Sequence, residues 1–216
     1  MRNLNKQDME NNDNLIISVG RQLGSGGHIV AKMLADEFGC KFYDREVLNL
    51  AAKESGFSEE FFEKNDEKKG FLSSVFHMHV PFISDNTFYN NGISQENLFK
   101  LQSDAMRKAA DESACVFVGR CADYVLRDHK NLVSVFITAD IDERIAQVGK
   151  RHDCTADEAR KIIESGESGR ASFYNYYTGK TWGHSSSYDL CINSSRLGLE
   201  GTKEFIAQFV RSLKRA

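Results

Sequence analysis

Leu15-Ile16-Ile17-Ser18-Val19-Gly20-Arg21-Gln22-Leu23-Gly24-Ser25-Gly26-Gly27-His28 is the stretch on which the fold turns. Residues 15–19 form a short apolar run of the kind found in a strand buried on both faces. The glycine cluster breaks that run. From about residue 28 to 38 the apolar residues Ile29, Leu34 and Phe38 suggest a helix, which Gly39 is suited to terminate. Residues 41–43 resume as a strand, and Asp44 opens a second helix through Val47, Leu48 and Ala51. Strand, glycine turn, helix, strand is the opening of a parallel α/β sheet.

Outward from this stretch the alternation continues. Residues 58–69, acidic and then basic, read as a helix, and the aromatic-rich residues 71–92 as an irregular insertion. Ser94 caps a helix to about residue 113 with Leu98, Leu101, Ala105 and Ala109 on one face. Residues 114–118 and 132–138 are strands. Asp140 starts a helix to about residue 151, and Thr155 caps another through Ile162 and Ile163. Residues 189–193 are a last strand, and 203–213 a closing helix.

Gly24, Ser25, Gly26 and Gly27 sit between a buried strand and a helix. Glycine lets backbone N–H groups turn around an anion, and a helix start adds partial positive charge. The alternative is a tight turn that only packs strand on helix. The loop departs from the full pattern G-x-x-x-x-G-K-[ST], in which lysine reaches the phosphates and a hydroxyl binds Mg²⁺. Arg21 stands where the first glycine belongs, and Gly27 replaces the lysine. Arg21 or His28 is left to restore the positive charge.

Composition narrows the class. The 216 residues are 41% apolar and 27% charged, as in a globular protein with a full core. A net charge of −3 gives no global attraction to nucleic acid or anionic membrane, so an anion site must be local. Residues 1–14, polar and Asn-rich, read as a disordered leader without a secretory signal. The five cysteines form no C-x-x-C pair, which suits reduced thiols and a cytoplasmic location. His77 and His79 are an H-x-H pair without an evident third ligand, so no metal site is assigned.

Several motifs agree in order. Ser18 to Gly27, Phe42-Tyr43-Asp44-Arg45-Glu46, Val118-Gly119-Arg120-Cys121-Ala122-Asp123-Tyr124, the run from Arg170 to Gly183 and Tyr188 to Ser194 together resemble the cytidylate kinase-like family. The resemblance implies a three-layer P-loop kinase fold with a central parallel sheet. It implies a helical insertion for the nucleoside monophosphate at about 58–112 and a lid at about 152–187, within one domain over 15–216. The implied activity is NTP-dependent phosphorylation of a nucleoside monophosphate such as CMP or dCMP, with ATP or another NTP as donor and Mg²⁺ as cofactor. Small nucleotides are the implied partners, with no nucleic acid and no membrane; a homo-oligomer is left open. Position by position, Gly24, Ser25, Gly26, Gly27 and His28 would hold donor phosphates. Asp44, Arg45, Arg120 and Asp123 would face the acceptor, while Arg21, Arg144 and Arg170 would carry catalytic charge. Cys121 stands where the family pattern Gly-Arg-Asp has its carboxylate. A non-catalytic nucleotide-binding protein that kept the cradle is the alternative reading.

Overall fold

The computed structural model describes residues 14–45 and 95–213. The expected leader up to residue 13, the helix beyond Arg45, the helix at 58–69, the insertion at 71–92 with His77 and His79, and the Ser94 cap lie outside them. Asn14, counted with the leader, is anchored: its Nδ2 donates to the carbonyls of Ala110 and Asp111.

Among the described residues, five parallel strands form one sheet in the order β2-β3-β1-β4-β5. They are β1 (Ile16–Arg21), β2 (Lys41–Tyr43), β3 (Cys115–Val118), β4 (Leu132–Thr138) and β5 (Leu190–Asn193). The α-helices among the described residues are α1 (Gly27–Phe38), α2 (Gln95–Glu112), α3 (Ala122–Val125), α4 (Ile141–His152), α5 (Ala156–Thr178) and α6 (Ser194–Ser212).

Successive strand residues point to opposite faces, so one apolar run feeds two cores. Ile17, Val19, Val116, Val118, Val133 and Val135 pack with Val30, Ala31 and Leu34 of α1 and Ile206, Ala207 and Val210 of α6. Ile16, Cys115 and Phe117 pack on the other face with Met106, Ala109 and Ala110 of α2 and with α3. Register keeps like with like: Val19 lies beside Val118 and Val135. Each fully buried aliphatic chain here contributes about 1.5–3 kcal/mol. The α/β sheet with helices on both sides is therefore the architecture expected.

Three elements differ from the sequence reading. Ile29 is 46% exposed, while Val30, Ala31, Leu34 and Ala35 are buried. The spacing 29, 34, 38 does not follow the helical period; 30, 31, 34, 35 does. Helix α5 begins as expected, with a Thr155–Glu158 capping box, but does not end near Ile163. It runs 23 residues to Thr178, straight through Gly166 and Gly169. An interior glycine costs about 1 kcal/mol; here the cost is offset by packing of the helix's aromatic second half. Finally, α6 starts directly after β5 and is bent at Gly198, whose φ 66° and ψ 176° only glycine adopts readily.

Candidate active site

The chain leaves β1 toward one face, into α1, and leaves β3 toward the other, into α3. Adjacent parallel strands whose connections diverge open a crevice at their carboxyl ends. The ends that meet there are Gly20-Arg21 and Gly119-Arg120.

The glycine loop is built as a cradle. Gly24 and Gly26 have φ of 84° and 72°, in the left-handed region. Ser25 is buried, and its Oγ donates to the Gln22 carbonyl at 2.9 Å and accepts from Gly27 N–H at 3.3 Å. Its hydroxyl is thus spent inside the loop. Among the described residues, the N–H groups of Gly24, Gly26 and His28 bond to no protein acceptor. Three free amides at a helix start suit a phosphate. The residue after Gly27, where the full motif has its hydroxyl, is His28; its Nε2 lies 3.1 Å from Asp44 Oδ2.

Arg21 explains the missing lysine. A Cβ on Gly27 would stand 2.5 Å from Arg21 Cβ, so the arginine stem fills the space a side chain there would need. A Cβ on Gly119 would stand 2.3 Å from Arg21 Nη1. The two glycines together make the bed in which Arg21 lies.

Other guanidinium groups converge on it. Arg170 Nη1 donates to the Arg21 carbonyl at 3.2 Å. Burial first, then the charges of Arg170 and Arg120, push Arg21 down from 12.5 to about 9, against the pull of Asp44. Burial also lowers Arg170, opposed by Glu167 and reinforced by Arg45, Arg144 and Arg151. A half-buried cluster of like charges favours an anion beside it. Arg120 reaches this position through strain. The turn closed by Ala122 N–H to the Gly119 carbonyl has Arg120 and Cys121 at φ 55° and 57°. Left-handed non-glycine residues cost about 1–2 kcal/mol each. Arg120 also lies over the Phe173 ring, 5.1 Å from its centroid.

Two residues expected at the ligand have side chains engaged by protein partners. Arg144 is buried; its Nε donates to the Leu23 carbonyl at 2.9 Å and its Nη2 to Glu167 at 2.5 Å. Glu167 in turn accepts from Leu23 N–H, and the Leu23 side chain packs against Val148, Ala159 and Ile163. Arg144 thus clasps the glycine loop to the α4–α5 pair. Asp123 is 6% exposed and accepts from Tyr174 Oη at 2.7 Å. Burial raises its carboxyl above the usual range, opposed by Tyr174 and by Lys180, whose Nζ is 3.9 Å away. Burial also pushes the Cys121 thiol up to about 12, which makes it an inert packing group.

Sequence reasoning did not single out Glu167, Tyr174 or Arg151. The signal was present: Glu167, Arg170 and Tyr174 follow at i, i+3, i+7, one face of a helix, once the glycines at 166 and 169 are accepted inside it.

The model of the cytidylate kinase-like family matches residues 16–196. Cytidylate kinase of Pyrococcus horikoshii is 28% identical over 191 residues, covering 88% of this chain and 84% of its own. That of Methanopyrus kandleri is 26% identical over 191 residues, covering 84% and 86%. Among solved structures, an uncharacterized protein from Eubacterium ventriosum superposes with a TM-score of 0.71 at 26% identity, covering 93% of this chain and all of that one. A shikimate kinase from Bacteroides thetaiotaomicron, at 15% identity and TM-score 0.52 over 91% and 98% of the two chains, shares the fold.

Proposed function

The chain belongs to the cytidylate kinase-like family, and on that basis we propose that it transfers the terminal phosphoryl group of an NTP to a nucleoside monophosphate such as CMP or dCMP. The observation that carries the reading is Arg21 lying over Gly27 and Gly119. The positive charge that a loop lysine would bring is delivered from the end of β1 instead. A degenerate loop motif is therefore compatible with turnover.

The work divides by position. The free amides of Gly24, Gly26 and His28 hold donor phosphates. Arg21 and Arg170 face the transferring group, where guanidinium forks stabilise charge that develops on its oxygens. Arg45 and Arg120 hold the acceptor phosphate in line for attack. An acceptor phosphate oxygen forms the new bond to the γ-phosphorus as the bond to the β–γ bridging oxygen breaks. Mg²⁺ would neutralise donor phosphate charge. It is commonly bound by one or two carboxylates with phosphate and water oxygens, and Asp44, whose charge already acts on Arg21, fits that part. Arg144 acts on the loop from behind.

The test is a coupled assay with ATP and Mg²⁺ across CMP, dCMP, UMP, AMP and GMP. Turnover is expected with a cytidine acceptor and is expected to fall at least ~100-fold in Arg120→Ala and Arg170→Ala, the scale of losing one charge-stabilising donor. Nucleotide binding by calorimetry with no turnover of any acceptor would establish the non-catalytic alternative instead.

A further inference from the structure

We propose that the Tyr174–Asp123 hydrogen bond is a strut that fixes the spacing of the arginines against their own repulsion. The inference rests on the anion-site reading of the arginine cluster and assigns a positioning role to two residues outside it.

Arg170, Phe173, Tyr174 and Tyr177 lie on one face of α5, at i, i+3, i+4 and i+7. That face covers the end of β3. Phe173 lies under Arg120, and Tyr174 Oη donates to Asp123 at 2.7 Å inside the protein. Tyr177 stacks on Phe99 of α2 with ring centroids 3.9 Å apart. On the other side, Asp123 is three residues from Arg120, across the strained turn. One buried bond therefore joins the segment that carries Arg120 to the helix that carries Arg170.

Arg170 and Arg120 each repel Arg21, and that repulsion works to part α5 from the strand ends on which the other two stand. A hydrogen bond between a hydroxyl and a carboxylate is among the stronger ones, and here both groups are buried. Tyr174 and Tyr188 stack beside it, with centroids 5.9 Å apart. The strut holds the arginines at the spacing a phosphate requires, so binding need not first gather them.

A double-mutant cycle in urea and heat tests this without depending on any ligand. Tyr174→Phe, which removes only the hydroxyl, is expected to lower Tm by about 5 °C. In an Arg120→Gln background, where opening relieves less repulsion, the same change is expected to cost clearly more. An equal cost in both backgrounds overturns the strut and leaves an ordinary buried bond. The second measurement is calorimetric titration with inorganic pyrophosphate. Tyr174→Phe and Asp123→Leu are expected to bind about tenfold more weakly, and Asp123→Asn, whose amide oxygen still accepts from Tyr174, to recover most of the loss. Unchanged affinity in Tyr174→Phe also overturns it. If the wild-type protein itself fails to bind pyrophosphate, the anion-site reading fails, while the double-mutant cycle still separates a strut from an ordinary buried bond.

Discussion

At the scale of single residues, the central fact is the exchange of position between Gly27 and Arg21. A side chain at 27 and the arginine at 21 compete for one volume, since their β-carbons would approach to 2.5 Å. Restoring the missing lysine alone is therefore expected to harm the protein. Gly27→Lys should destabilise it by about 1–3 kcal/mol, as overpacking does, and lower activity. Arg21→Ala should lose about 100-fold in kcat/KM, on the scale of removing one charge-stabilising donor. The double variant Arg21→Gly/Gly27→Lys, which also removes the β-carbon that crowds position 27, should recover at least tenfold over Arg21→Ala, because the lysine then has both room and purpose. Steady-state kinetics on the three variants checks this, and no recovery would mean that Arg21 does not occupy the lysine's role. The strained pair Arg120 and Cys121 belongs to the same scale: two left-handed residues are tolerated where a guanidinium must be aimed.

At the scale of elements, α4 and α5 are tied to the glycine loop through Leu23. Its carbonyl, its N–H and its side chain are each engaged, by Arg144, Glu167 and the small apolar cluster of Val148, Ala159 and Ile163. The Arg144 side chain is only 6% exposed, so removing its partner strands a buried charge. Glu167→Ala is expected to cost about 3 kcal/mol in urea unfolding, in the range for breaking a buried pair from one side. Arg144→Met/Glu167→Leu should cost clearly less than the sum of its single changes. Additive costs would show that the pair does not act as a unit.

At the scale of the whole molecule, a net charge of −3 conceals a site where positive charge is concentrated. The folded state lowers Arg21 from 12.5 to about 9. The unfolded chain therefore holds that proton between these two values while the folded one does not. Linkage gives the sign: this group's contribution to stability rises with pH across that window and is a penalty below it. A bound phosphate anion relieves the penalty. Pyrophosphate is expected to raise Tm by several degrees below about pH 8, with the gain shrinking as pH passes about 9. Arg21→Gln should show a smaller gain with no such pH dependence. Thermal scans from about pH 7 to 10 check this, and an identical pH profile in Arg21→Gln would assign the effect to another group. Among the described residues no helix is long and apolar enough to cross a membrane.

The alternation of apolar runs and glycine turns, and with it the parallel sheet, followed from the sequence. So did the placing of glycines and arginines at strand ends, because strand burial and turn chemistry are local. The end of α5 did not, since glycines at 166 and 169 argue locally for a loop while distant aromatic packing holds the helix. The partners of Arg144 and Asp123, 121 and 51 residues away in the chain, were not legible either, because only the fold brings them together. The turn between β1 and α1 was legible from its glycines. That Gly27 is small in order to seat Arg21, and Gly119 to receive its head, emerged only in three dimensions, where β1 and β3 come to lie side by side and two like charges must share one crevice.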